Sequence, residues 1–288
     1  MSATEIVLSG GNVNASVVRI GKTVRRQLTP ASAAIHQLLL HLAAIGFQGS
    51  PRFLGIDEQN REVTTFIAGE TGIPSALWQH DASVVATARL LRHYHDATVG
   101  FVPTDGALWA YAYPDATKHE VICHNDFAPY NFIYQDAAPI AVIDFDLAGP
   151  GPRLRDVAYA AYWLTPLSFH SADQVAFAEA DLQAGSRRLK LFCTTYSFPE
   201  KFCTTSPVGP MGQNFSGELY GITPTVDLLA MIDEVLAFLG DEGQMCAVVG
   251  PTVAAKLARE GHLVHWQRER ASYQAHRPLI EANLKQMS

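Results

Sequence analysis

Two short apolar runs, each handing over at once to polar residues, constrain this sequence more than anything else in it. Val121-Ile122-Cys123 leads into His124-Asn125-Asp126-Phe127-Ala128-Pro129-Tyr130-Asn131, and Ala141-Val142-Ile143 leads into Asp144-Phe145-Asp146. Short apolar runs bounded by polar residues fit buried strands. Asp126 and Asp144 are 18 residues apart. That leaves room for a loop, a strand from Asn131 to Tyr134, a turn over Gln135 to Pro139, and a return strand. Such a hairpin sets Asn131 and Asp144 at the same end of adjacent strands, each on a loop carried by a rigid element.

The flanking sequence changes character near residue 70. Before it, Ser16 to Ile20 and Thr23 to Gln27 are β-rich runs joined by a tight turn at Gly21-Lys22. Thr29 is placed to cap a helix with Pro30 at its first position. That helix puts Ile35, Leu38, Leu39, Leu42 and Ile45 on one face and stops at Gly46. Two further strands, Arg52 to Ile56 and Glu62 to Ala68, flank the polar turn Asp57-Glu58-Gln59-Asn60. After residue 70 the pattern is helical: one long helix capped by Asp81, one from Asp156, and three from Val226 onward. Residues 193 to 224 are rich in Ser, Thr, Gly and Pro without periodicity. The expectation is an α+β chain with a small β-rich lobe and hinge at 1–70 and a larger, mostly helical lobe at 71–288.

Composition narrows the partners. The 288 residues are 48% hydrophobic and 17% charged, with a formal net charge of −7 spread along the chain. A nucleic-acid binder would normally carry a basic stripe, so none is expected as a partner. Cysteines at 123, 193, 203 and 246 show no metal-finger spacing and read as reduced thiols. No apolar run reaches the ~20 residues of a membrane span, and the first residues lack a basic and then apolar leader. A soluble cytoplasmic protein is expected, with no membrane partner and an oligomeric state that the sequence leaves open.

His124 to Asn131 fits H-x-D-x-x-x-x-N, a catalytic-loop pattern of phosphotransferases, and Asp144 stands where a metal-binding aspartate follows such a loop. Phosphoryl transfer needs a carboxylate to orient the acceptor hydroxyl and take its proton. It also needs hard oxygen ligands for the Mg²⁺ that neutralises phosphate charge. HNDFAPYN followed by IDFDLAGPGPRLRDVAY resembles the signature stretch of the aminoglycoside-phosphotransferase-like kinases, a group that includes choline-kinase-like enzymes. FIAGE at the hinge and HDA at 95–97 extend the resemblance, which weakens over 190–250. It implies a two-lobed protein-kinase-like fold and transfer of the γ-phosphoryl of ATP or GTP to a hydroxyl of a small molecule. By the same resemblance Asp126 is the catalytic base, Asn131 and Asp144 hold Mg²⁺, and Asp156 steadies the helix that follows it. His124 is assigned to structural support of the loop. Only a dozen residues, with Gly149-Pro150-Gly151-Pro152 as a tight loop, separate Asp144 from Asp156. The long regulatory segment of protein kinases is absent, which favours a small-molecule acceptor. Aminoglycoside, amino alcohol and sugar all stay open.

On the nucleotide side, Gly10, Gly11 and Asn12 occupy the place of the family's phosphate-covering hairpin, where glycine lets backbone N–H groups approach phosphate. Backbone groups near Phe66 and Ala68 are placed to meet the edge of the adenine. Where the family carries a lysine on the third strand, this chain has Arg25 and Arg26. Strand alternation puts Val24 and Arg26 on one face, so Arg26 is the expected phosphate ligand if Val24 faces the nucleotide. The helix offers no glutamate to pair with it, only His36 or Gln37. These departures motivate a rival from another class, a non-catalytic nucleotide-binding or scaffold protein that kept the fold. His93, His95 and Asp96 read as a structural hydrogen-bond network, Trp163 as core, and Arg187, Arg188 and Lys190 as a solvated helix face.

Overall fold

The computed structural model describes residues 5–8, 17–104, 106–165, 167, 182–197 and 226–287. The N-terminal part is an antiparallel sheet with one helix. Its strands are β1 (Glu5–Leu8), β2 (Val17–Ile20), β3 (Thr23–Gln27), β4 (Phe53–Ile56) and β5 (Arg61–Thr65), in the order β1-β2-β3-β5-β4. Gly21, at φ 60°, turns β2 into β3. In the turn before β5, the Asp57 carboxylate accepts the Gln59 and Arg61 amides, each at 3.0 Å, and Asn60 takes a left-handed φ of 58°. This is the Asx chemistry that makes such a tetrapeptide a turn.

Helix α1 (Ser32–Ala44) buries Ile35, Leu38, Leu39 and Leu42. It starts two residues later than the Thr29-Pro30 signal implied. Thr29 spends its backbone on a closed turn, donating its N–H to Ser32 Oγ at 2.9 Å and accepting the Ser32 N–H at 3.1 Å. Beyond β5 the chain crosses to the second part through Gly69-Glu70. Glu70 exchanges backbone hydrogen bonds of 2.9 Å with Tyr134. A Cβ on Gly69 would sit 2.5 Å from Ile133 Cγ2 and 2.7 Å from the Tyr134 carbonyl oxygen. Only glycine allows the hinge to lie this close to the strand beneath it.

The larger part holds α2 (Asp81–Thr98), β6 (Val121–Cys123), β7 (Phe132–Gln135), β8 (Ala138–Val142), β9 (Gly149–Gly151), α3 (Arg153–Leu164), α4 (Leu182–Ser197), α5 (Val226–Leu239), α6 (Glu242–Val249), α7 (Pro251–Arg259) and α8 (His262–Gln286). The whole is the two-lobed α+β, kinase-like arrangement expected. Its core joins Leu91 and Tyr94 of α2, Val157 and Trp163 of α3, Phe192 of α4, Leu229 of α5 and Tyr273 of α8, all buried. Each such side chain contributes about 1.5–3 kcal/mol of burial. No helix among the described residues is long and apolar enough to cross a membrane.

Several local expectations are corrected. Gly149-Pro150-Gly151 is a strand, antiparallel to β6, and it packs so closely that a Cβ at 149 would overlap the Tyr111 carbonyl at 1.8 Å. α3 begins at Arg153, after Pro152, so Asp156 lies inside its first turn and caps nothing. Asp81 is the first residue of α2 rather than its cap, and its carboxylate takes Arg187 through two 2.7 Å bonds. Of the basic residues on the 182–197 helix, only Arg187 is solvent-exposed as expected. Arg188 is buried on the Leu77 and Leu164 carbonyls, and Lys190 reaches the Met287 carbonyl. The chain from Val226 forms four helices among the described residues, because Gly240-Asp241, Gly250-Pro251 and Gly261 break it. α4 runs through Ser197, and 198–224 of the irregular stretch lie outside the described residues. Cys123, Cys193 and Cys246 are free thiols; Cys203 is outside the described residues.

Candidate active site

The first apolar run, β6, ends at a loop hung from α3. Asp156 accepts the His124 amide at 2.6 Å and the Asn125 amide at 2.8 Å, and its Oδ2 lies 3.1 Å from His95 Nε2. His95 Nδ1 meets the Tyr196 hydroxyl at 2.6 Å. Asp156 therefore steadies the loop, not the helix that carries it. Burial opposes the charge on Asp156, yet the His95 hydrogen bond and the loop amides hold its pKa below the usual carboxylate value. Burial likewise keeps His95 and His124 below the ordinary histidine range. His124 packs against Phe145 and Phe127, with Nε2 3.1 Å from the Ile143 carbonyl. His95 is part of a buried hydrogen-bond network as expected, but its partners are Asp156 and Tyr196 rather than His93 and Asp96; Asp96 pairs with Arg92 and Arg153.

Asn125 takes a left-handed φ of 63°, which re-aims the chain so that Asp126 faces the cleft. Asn131 Nδ2 donates to the Asp126 carboxylate at 2.7 Å and to its carbonyl at 3.0 Å. Tyr130 donates its hydroxyl to the other carboxylate oxygen at 2.6 Å and lies 2.9 Å from the Tyr159 hydroxyl. Loss of hydration pushes the Asp126 carboxyl up to about 7, and Asp144 adds to this against the Tyr130 and Asn131 hydrogen bonds. A carboxylate poised near neutrality is suited to proton abstraction. Tyr130 and Tyr159 were not anticipated. Tyr130 sits inside the recognised motif, but its role depends on a side-chain direction that spacing alone does not give.

The β7–β8 hairpin pairs Phe132 with Val142, and the Ile143 amide donates to the Asn131 carbonyl at 2.8 Å. Asn131 and Asp144 therefore meet at one end of adjacent strands. Asp144 is exposed, at φ 64°. Arg26 reaches it from the N-terminal sheet, with Nη1 3.3 Å from Asp144 and 2.8 Å from Asp146. Its Nε is bonded to Glu62, the residue directly across from it on β5. His36 Nε2 holds the second Glu62 oxygen at 2.7 Å and stacks on Phe53 with ring centroids 3.8 Å apart. Burial works against the Arg26 charge, but Asp146, Glu62 and Asp144 together hold its pKa above the usual arginine value. The acidic partner missing from the helix is supplied by a strand, with the helix histidine behind it. Strand pairing register would have pointed to Glu62; the sequence alone leaves that register open.

Arg25 points the other way, to Thr23 and toward Asp57 at 3.9 Å. Phe66 donates its amide to the Lys22 carbonyl at 2.9 Å, so that group is already engaged, and the Arg19 guanidinium lies 3.7 Å over its ring. Ala68 is exposed at the hinge. Gly10, Gly11 and Asn12 lie outside the described residues.

A model of the phosphotransferase enzyme family matches residues 102–192, the stretch holding Asp126, Asn131, Asp144 and Asp156. The trifolitoxin immunity protein of Rhizobium leguminosarum bv. trifolii is 33% identical over 193 residues, which is 65% of this chain and 72% of that one. The chain belongs to the phosphotransferase enzyme family. Among solved structures, this phosphotransferase-family protein resembles a choline/ethanolamine kinase family protein from Mesorhizobium loti, with TM-score 0.52, 15% identity, and 99% and 92% of the two chains covered. It also resembles the gentamicin complex of APH(2")-IIa, with TM-score 0.55, 12% identity, and 93% and 91% covered. At these identities the likeness is one of fold.

Proposed function

We propose that this protein is a small-molecule kinase that moves the γ-phosphoryl group of ATP or GTP onto a hydroxyl. The observation that carries the reading is Asp126, a carboxylate near neutrality held by Asn131 and Tyr130 at the edge of a pocket. In the proposed step Asp126 takes the acceptor proton as the acceptor oxygen bonds to the γ-phosphorus. The bond from that phosphorus to the β,γ-bridging oxygen breaks, and the nucleoside diphosphate leaves. Asn131 and Asp144 present hard oxygen donors, a set that fits Mg²⁺, and we assign them to hold it. The bound ion supplies charge neutralisation at the phosphates. Arg26 lies close to Asp144 and Asp146, a position from which its fork can meet phosphate oxygens. We assign Gly10, Gly11 and Asn12 to cover the phosphates and the backbone near Phe66 and Ala68 to meet the base. The first lobe and hinge are taken as 1–70 and the acceptor-binding lobe as 71–288. The likeness to an immunity protein supports a role in protecting its host by phosphorylating a toxic compound.

Mg²⁺-dependent release of ADP, measured over a panel of hydroxyl compounds, tests the reading. Asp126→Asn is expected to cut turnover roughly 10²–10⁴-fold, the scale of a lost general base, with nucleotide affinity little changed. Turnover near wild type in that variant would remove Asp126 from the mechanism. Nucleotide binding without transfer to any acceptor would favour the non-catalytic rival.

A further inference from the structure

The pocket beside Asp126 has a composition that bears on what it accepts. It is a small recess that is partly open to solvent. Tyr111, Tyr159, Phe238 and Met245 contribute to its largely apolar wall, and Asp126 and Arg155 are its charged lining residues. Arg155 is 3% exposed. Its Nε donates to Asn125 Oδ1 at 3.0 Å. Its guanidinium carbon lies 4.5 Å from the Tyr111 ring centroid and 4.8 Å from that of Phe238. Among the described residues no hydrogen bond or ion pair engages its two terminal nitrogens. Glu234, on the neighbouring α5, is exposed and takes the Tyr113 hydroxyl at 3.4 Å.

A buried guanidinium is rarely left with two donors unmet. Here Asn125 fixes one edge and two rings flank the group, so the free edge belongs to the pocket. This geometry disfavours the cationic acceptors. A polyamine needs several carboxylates, and among the described lining residues Asp126 is the sole one. A quaternary ammonium needs open aromatic faces, and Arg155 already lies over Tyr111 and Phe238. A planar oxygen acceptor matches the fork that remains.

We propose that Arg155 is the acceptor-recognition residue, and that the acceptor is an alcohol on an apolar body with a carboxylate or carbonyl oxygen beside its hydroxyl. The inference rests on the phosphotransferase reading above, with Asp126 at the hydroxyl and Arg155 at the neighbouring oxygen.

The test uses the full-length protein with ATP and Mg²⁺ and five probes: 3-phenyllactate, its amide, 1-phenyl-2-propanol, choline and kanamycin. The first two are expected to exceed 1-phenyl-2-propanol in kcat/KM by about 10-fold or more. Arg155→Gln should erase that advantage through KM, and Arg155→Lys should restore it in part for the carboxylate. Phenyllactate above the amide identifies an anionic acceptor; parity identifies a neutral carbonyl. Preference for choline or kanamycin would overturn the proposal, as would an equal loss on every probe in both Arg155 variants. If wild type turns over no acceptor, the kinase reading fails separately. Calorimetric binding of 3-phenyllactate then decides for Arg155: binding weakened about 10-fold by Arg155→Gln upholds it, and no binding or unchanged binding sinks it.

Discussion

Arg26 and Asp156 each hold three partners, yet the two clusters are built for different ends. Arg26 joins Glu62 on its own sheet to Asp144 and Asp146 in the second part of the chain, and the Asp144 side chain is 42% exposed. Asp156 and His95 are both fully buried, and every partner of Asp156 belongs to the same part of the fold. A bridge between two segments with one open carboxylate can be exchanged for a ligand, because water or phosphate can replace the Asp144 side of it. A dry network has no such substitute, since an unmet buried donor costs about 1–3 kcal/mol. Damage to the Asp156 cluster should therefore register as stability, and damage to the Arg26 cluster as function.

Asp156→Ala carries the largest expected effect. It strips two backbone amides and a buried histidine of their acceptor, and should lower unfolding free energy by about 3–5 kcal/mol in urea titrations. A loss below about 1 kcal/mol would mean that the loop finds other acceptors, and the contrast would fail. Arg26→Ala should leave most of the stability intact, because His36 still holds Glu62. It should raise the nucleotide KM by roughly 10–100-fold in steady-state assays, the scale of a lost charge-assisted pair. An unchanged KM would show that the bridge is purely structural.

The buried histidine gives the contrast a pH signature of intermediate size. His95 is held below its ordinary value of 6.5, chiefly by burial and against the pull of Asp156. A depressed pKa means that the unfolded chain takes up the proton first. The stability it contributes is present in full above about pH 6.5 and is lost as pH falls through the folded value. Roughly 1 kcal/mol per pH unit per histidine is expected below pH 6.5. Urea midpoints at pH 8, 6.5 and 5.5 should fall less steeply in His95→Gln than in wild type. Equal slopes would assign the acid sensitivity to other groups.

The fold and the loop motif were legible because both are written locally. Apolar runs ending in His124 and Asp144, and the change of periodicity near residue 70, need no knowledge of distant contacts. Even the meeting of Asn131 with Asp144 follows from the length of one hairpin. Glu62 behind Arg26 was not legible, because it depends on the β3–β5 register. Neither was the burial of Arg188, which needs the position of α2. Asp156 stands out in the sequence, but its neighbours there point to its own helix. Only the return of β9 alongside β6 puts it under the His124 loop. Pairings across the fold are what the sequence withheld.

The smallest expected effect sharpens the comparison most at the level of a single strand. Arg25 and Arg26 are adjacent on β3, opposite Val63 and Glu62, so their side chains leave opposite faces of the sheet. Arg25 turns to Thr23 and the Asp57 turn. That turn is already closed by Arg61 at 2.9 Å and by two backbone amides. Its longer 3.9 Å approach to Asp57 duplicates what Arg61 provides, and a partly solvated pair at that distance adds little. Arg25→Ala should shift the melting temperature by about 2 °C or less and leave the nucleotide KM at the wild-type value. Calorimetry and the same steady-state assay used for Arg26→Ala supply both readings. If Arg25→Ala instead raises the KM as far as Arg26→Ala does, the face of β3 that meets the nucleotide has been misassigned. Arg26 would then be an internal tie between the two parts of the chain rather than a phosphate ligand.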